Sequence, residues 1–252
     1  MNEKTSPTQR ERRDFLKTTA VVAGMTVAPG VLLYSVSQAK QAEDAVTSKV
    51  RWGMLIDTNK CAKGCNECVS ACATEHGFID DPHRDSHPEM AAQWIRKVGL
   101  RDKQTKKEYS LPVMCQHCEH PPCVDVCPTG ASFKRADGIV LVDRHICIGC
   151  RYCMMACPYK ARSFIHETLE NQKPYSPRGK GTVESCTFCV HRIDKGKQPA
   201  CVEACNKAGH KVMLFGDMND PSSEIYKKLK EVSSTALRPD MRLNPGIRYQ
   251  GL

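Results

Sequence analysis

The chain has 252 residues, enough for one or two compact domains with a real core, and a mean hydropathy of −0.46 with 26% charged residues excludes a polytopic membrane protein. Aromatics make up 6%, yet there are 16 cysteines in a chain too long to be a disulfide-stapled miniprotein, so cysteine has a task other than packing. The formal charge of +9 raises nucleic acid or an anionic surface as a partner; the same excess would offset buried anionic cofactors, and no motif in the chain favours nucleic acid.

The first element is a targeting segment, residues 1–39. Glu11-Arg12-Arg13-Asp14-Phe15-Leu16-Lys17 precedes an uncharged stretch, residues 18–39, rich in Ala and Val and interrupted by Gly24, Pro29 and Gly30. It ends in the small-residue site Ser37-Gln38-Ala39. The adjacent arginines resemble a twin-arginine signal, which exports folded chains, so a cofactor inserted in the cytosol survives the crossing to the periplasm. The competing reading is an uncleaved membrane anchor. No later stretch is long and uncharged enough to span a bilayer.

After a linker, residues 40–50, the apolar run Trp52–Asp57 predicts a strand. Then come four groups of four cysteines: Cys61, Cys65, Cys68, Cys72; Cys115, Cys118, Cys123, Cys127; Cys147, Cys150, Cys153, Cys157; and Cys186, Cys189, Cys201, Cys205. The third fits the bacterial ferredoxin run C-x2-C-x2-C-x3-C-P without a mismatch. In that run three thiolates wrap one 4Fe-4S cubane and the fourth, on a helix, points to a second. The second group is the same pattern with two residues inserted before its third cysteine, and it also ends in Cys-Pro.

Groups two and three therefore read as one two-cluster core with exchanged fourth ligands: Cys115, Cys118, Cys123 with Cys157, and Cys147, Cys150, Cys153 with Cys127. Between them, residues 132–142 read as a hairpin turning at Asp137-Gly138. Groups one and four lack the terminal proline and read by symmetry as an outer core: Cys61, Cys65, Cys68 with Cys205, and Cys186, Cys189, Cys201 with Cys72. The expected fold is α+β, ferredoxin-like, with two nested bacterial-ferredoxin-type cores and four 4Fe-4S clusters bound through all sixteen cysteines. The outer core covers 51–114 and 182–220, the inner core 115–181, and 221–252 a surface helix at 222–232 followed by an extended tail. A zinc-stabilised binding module is the rival of another class, but zinc prefers two C-x2-C pairs and leaves the third and fourth cysteines of each group unexplained. Disulfides between cysteines two residues apart make strained local loops.

These motifs resemble the four-cluster ferredoxin-like electron-transfer subunits of the polysulfide, dimethyl sulfoxide and nitrite reductase complexes. The likeness runs from Leu55-Ile56-Asp57 through Pro128-Thr129-Gly130-Ala131 to Phe215-Gly216-Asp217-Met218-Asn219-Asp220-Pro221. Within that family, the opening Cys61-Ala62-Lys63-Gly64-Cys65 and the run from Arg178 to Cys186 are most similar to the DsrO-like periplasmic iron-sulfur subunits of DsrMKJOP complexes of dissimilatory sulfur metabolism. The resemblance implies a quinone-interacting NrfD-like membrane partner (DsrP) and a periplasmic multihaem cytochrome c (DsrJ). An electron-transfer subunit of a periplasmic molybdopterin oxidoreductase is the alternative within redox chemistry.

Several residues tempt without fitting. His117 and His120 stand among the cysteines and are expected to pack over a cluster or hydrogen-bond to it. Met154 and Met155 are expected to shield a cluster. The stretch 80–87 and the charge run 101–107 read as solvated loops. No nucleophile triad, phosphate-binding loop or paired catalytic carboxylate assembles, so the chain reads as a non-catalytic relay.

Overall fold

The computed structural model describes residues 46–78, 87, 90–169 and 172–252. The twin-arginine segment, most of the linker and most of the 80–87 stretch lie outside the described residues. The chain runs β1 (Trp52–Asp57), α1 (Glu67–His76), β2 (Ile95–Arg101), β3 (Glu108–Met114), α2 (Pro122–Asp125), β4 (Ser132–Lys134), β5 (Val140–Val142), α3 (Tyr152–Ala156), β6 (Arg162–Phe164), β7 (Val183–Ser185), α4 (Val190–Ile193), α5 (Ala200–Lys207), β8 (Met213–Asp217), α6 (Glu224–Glu231) and β9 (Ile247–Gln250), with a short 3-10 turn at Pro239–Met241.

The expected strand β1 is the centre of a three-stranded sheet, antiparallel to β8 and parallel to β9. A continuous apolar run suits a central strand covered on both faces, and Met54, Leu55 and Ile56 are all buried. Gly53 lets the chain pass closely here: a Cβ would stand 2.7 Å from the Gly246 carbonyl oxygen, against backbone that cannot swing away. The expected extended tail supplies β9 along the edge of β1, with Ile247 and Tyr249 fully buried. The Tyr249 hydroxyl donates to the Pro112 carbonyl (3.1 Å) and accepts from the Gln116 amide (3.3 Å), so the tail knits β1 to the start of the second cysteine group.

The segment between the first two cysteine groups is not merely loop. It forms the seven-residue hairpin β2/β3, paired from Ile95↔Met114 to Arg101↔Glu108. Its tip is the expected solvated turn, closed by Asp102 Oδ1, which accepts from the backbone N–H groups of Gln104 (2.7 Å) and Thr105 (2.8 Å). The 132–142 hairpin forms as read, with Ser132↔Val142 paired and Gly138 at φ +88° in the turn. Helix α6 begins at Ser223, whose side chain accepts from the Tyr226 N–H. Strands β6 and β7 pair with each other, Arg162↔Ser185 to Phe164↔Val183, across the boundary expected between inner and outer cores.

One large core gathers the sheet, the aromatics Phe78, Trp94, Phe188, Phe215 and Tyr249, and most of the cysteines. A second, much smaller core holds Cys123, Val140, Cys153 and Val183. No helix among the described residues is long and apolar enough to cross a membrane.

Candidate cluster sites

Each cysteine group begins in a loop and ends on or beside a short helix, which decides where its last thiols go. Helix α1 carries Cys68 and Cys72, and α5 carries Cys201 and Cys205. Four residues along an α-helix advance the chain by about 6 Å, so two thiols on one face address two successive positions. The same step separates Cys123 on α2 from Cys127, and Cys153 on α3 from Cys157.

Three cavities collect the thiols. Cys61, Cys65, Cys68 and Cys205 line one, called site 1. Cys115, Cys118, Cys123 and Cys157 line another, site 3. Cys127, Cys147, Cys150 and Cys153 line the third, site 4. The remaining four meet at site 2, where Cys72 is raised well above the ordinary thiol range first by burial and then by Cys186, Cys201 and Cys189. Helix α1 thus gives Cys68 to site 1 and Cys72 to site 2, while α5 gives Cys201 to site 2 and Cys205 to site 1. The same crossing links sites 3 and 4 through Cys123, Cys127, Cys153 and Cys157.

Electrostatic neighbours place the four sites in a row. Cys68 acts on Cys72 and Cys201, joining sites 1 and 2; Cys186 acts on Cys115, joining 2 and 3; Cys153 acts on Cys123, joining 3 and 4. All eight thiols of the middle sites are buried, whereas Cys61 and Cys65 of site 1 and Cys127 and Cys147 of site 4 are half-buried and Cys150 is exposed.

The donor set fits iron-sulfur clusters. Burial pushes the thiols of Cys68, Cys118 and Cys186 up to about 12, so they resist ionising unaided, and a bound cationic metal is what deprotonates a ligating thiol outright. Among the described residues no three His, Cys, Asp or Glu side chains stand close enough to share a single ion. Donors already face the sulfurs. The N–H groups of Val212 and Phe188 donate to Cys205 (3.4 Å) and Cys186 (3.5 Å), and the Lys97 ammonium donates to Cys61 (2.7 Å). Burial would raise Cys127, but donation from Ser132 (3.3 Å) and the neighbouring Thr129 and Ala131 outweighs it and lowers that thiol. Gly149, at φ +69°, lets the Cys147–Cys150 loop lie against the Gly181 carbonyl, which a Cβ would meet at 2.2 Å.

Of the tempting residues, His117 lies in the core. It is buried, stacks on Phe188 with centroids 3.7 Å apart, and its Nδ1 accepts from the Val140 N–H (3.0 Å). Burial lowers it to about 3, so the ring is neutral. His120 is exposed and Met155 is 67% exposed, so neither shields a cluster; Met154 does pack against the small core. Three contacts escape a reading of the motifs. His76 is buried between Ser176 Oγ (2.8 Å) and Cys189 Sγ (3.4 Å) and is lowered to about 3, by burial first and then by His191 and nearby arginines. Lys97 reaches Cys61 from β2, and the guanidinium of Arg162 donates to Cys123 (3.1 Å). None of the three lies within a cysteine motif, so spacing carries no signal of them. The Arg178 to Cys186 run contains a fully buried ion pair, with Arg178 donating to both Glu184 oxygens at 2.9 and 2.7 Å.

The sequence matches two 4Fe-4S dicluster domain families, over residues 106–218 and 60–131. It is 42% identical to the Hdr-like menaquinol oxidoreductase iron-sulfur subunit 1 of Archaeoglobus fulgidus, covering 96% of this chain and 98% of that one. It is 35% identical to the protein NrfC of Escherichia coli (87% and 86%) and 34% identical to the arsenate respiratory reductase iron-sulfur subunit ArrB of a Shewanella species (79% and 96%). The chain belongs to this family of ferredoxin-like iron-sulfur electron-transfer subunits of oxidoreductase complexes, a non-catalytic role, and its cofactors are four 4Fe-4S clusters.

Proposed function

We propose, from that membership, that the protein relays single electrons along sites 1 to 4 between a quinone-interacting NrfD-like integral membrane subunit, of DsrP type, and a multihaem cytochrome c of DsrJ type. It does so at the periplasmic face of the cytoplasmic membrane, in dissimilatory sulfur metabolism, after folded export by the twin-arginine route. The observation that carries the reading is the row itself, with buried thiols in the middle and accessible ones at both ends. Such a row admits electrons at the ends and keeps solvent from the centre. When bound, the clusters supply one-electron carriers whose potentials respond to burial, charge and hydrogen bonds at the sulfurs. The chain's own work is to fix their spacing through the shared helices and to aim Lys97, Arg162 and backbone N–H groups at their ligands. Ligand sets are those that meet at each site: Cys61, Cys65, Cys68, Cys205; Cys72, Cys186, Cys189, Cys201; Cys115, Cys118, Cys123, Cys157; and Cys127, Cys147, Cys150, Cys153. A quinol-linked complex is favoured over a molybdopterin reductase because the likeness to the menaquinol oxidoreductase subunit is higher in identity than that to the arsenate reductase subunit and spans essentially both chains.

The test is to isolate the native complex anaerobically, reduce it with a menaquinol analogue and follow the cluster signals. Iron and sulfide near four cubanes, rapid reduction and co-purified haem c support the reading. Co-purified molybdopterin without haem c overturns the specific complex, and clusters unresponsive to quinol overturn the relay.

A further inference from the structure

We propose that Arg162 is a positioning residue that tunes sites 3 and 4 as a pair. This rests on the four-cluster reading of the site and adds to it a residue no cysteine motif identifies. Arg162 opens β6 and is 6% exposed. Its Nη2 donates to Cys123 Sγ of site 3 (3.1 Å) and to Ser132 Oγ (2.7 Å). The backbone N–H of that same Ser132 donates to Cys127 Sγ of site 4 (3.3 Å), and the guanidinium also interacts with Cys153 of site 4. One cation therefore spans ligands of two sites, directly at Cys123 and Cys153 and through Ser132 at Cys127.

A buried arginine normally answers a carboxylate, as Arg178 does with Glu184. The groups in reach of the Arg162 guanidinium are instead the sulfurs of Cys123 and Cys153 and the Ser132 hydroxyl. Its Nη1 is buried with no protein hydrogen-bond partner, a donor left over beside the thiol-lined cavity of site 3. Adding an electron to a cluster makes it more negative, so a fixed positive charge in a dry interior favours reduction and raises the potential. Removing the charge lowers it at both sites.

The experiment compares wild type with R162Q and R162K in the full-length, cluster-loaded chain, by iron and sulfide content and by anaerobic redox titration followed by electron paramagnetic resonance. For R162Q, two of the four midpoint potentials are expected to fall by the equivalent of tenfold or more in the reduction equilibrium, which for one electron is about 59 mV, while the other two stay in place. R162K, which keeps the charge without the planar fork, is expected to recover part of the fall. Should R162Q lose iron, R162K and S132A carry the same readout, since S132A removes the oxygen that orients Nη2. Unchanged potentials, a fall at one site alone, or an equal fall at all four overturns the proposal. Wild-type iron well short of four cubanes instead overturns the reading beneath it, and does so before any titration.

Discussion

Site 1 and site 4 end the same row with the same number of thiols, yet their surroundings differ in kind. Site 1 is backed by the large core, the three-stranded sheet and the long β2/β3 hairpin, and a lysine from that hairpin reaches its first cysteine. Site 4 rests on the small core between three-residue strands, with Cys150 open to solvent and Ile148, Tyr152 and Met155 exposed around it. Four buried side chains cannot offset the entropy of ordering the loops that surround them. At site 4 the scaffold therefore depends on ligation, whereas at site 1 ligation is added to a scaffold that already has a core.

Removing iron is the largest test of that difference. Chelation under reducing conditions is expected to expose the backbone amides of β4, β5 and α3 first, and to leave those of β1, β8 and β9 protected for longer, as hydrogen exchange read by mass spectrometry will show. Simultaneous loss across both regions would mean that the large core does not stand without its clusters, and the contrast between the ends would fail.

A break in the middle of the row should spare neither end. Glu184 sits in β7, two residues before Cys186, and its partner Arg178 is 3% exposed in its side chain. Glu184→Ala leaves a buried guanidinium unpaired, at a cost of about 3–5 kcal/mol. The expected outcome is a lowered unfolding midpoint with iron lost from all sites. Replacing both partners by Met and Leu should restore most of the stability, because the penalty lies in the unpaired charge. Loss of iron from one end only would place the pair outside the shared framework.

The grouping of the thiols was legible because its signals are local. Spacings of two and three residues, with a helix behind them, decide which thiols come together, and the Asp137-Gly138 turn and the apolar run of β1 are equally short-range signals. What stayed hidden depends on distant pairing. Pro245 and Gly246 mark an end to regular structure when read along the chain, but β9 begins immediately after them and gains its stability from β1. The β2/β3 hairpin was masked by its charges, which face solvent on a pair of strands only half covered. Closeness in sequence to a cysteine also misled: His120 and Met155 are neighbours of ligands along the chain and point to solvent, while Lys97 and Arg162 are remote from the cysteines they touch.

Lys97→Met is the smallest and sharpest probe of the two ends. The ammonium donates to Cys61 Sγ at 2.7 Å and to the Ala62 carbonyl at 3.4 Å, and both the lysine and the cysteine are only half-buried. A charge-assisted hydrogen bond in the interior contributes about 1.5–3 kcal/mol, and partial exposure reduces that here to roughly 1 kcal/mol. Methionine keeps the length and apolar stem of the side chain, so folding stability should fall by no more than that, about 1 kcal/mol. The lost charge should also appear in redox titration, as a fall in one midpoint potential out of four. Because the ammonium is within reach of water, the difference from wild type should shrink as salt is raised through the range where the Debye length drops from about 10 Å to 3 Å. The potential set by buried Arg162 at the other half of the row should hold steady over the same range. A salt-independent shift, or one that also moves site 4, would show that Lys97 acts through the fold rather than through its charge, and the lysine-tipped end would then be no different in kind from the other.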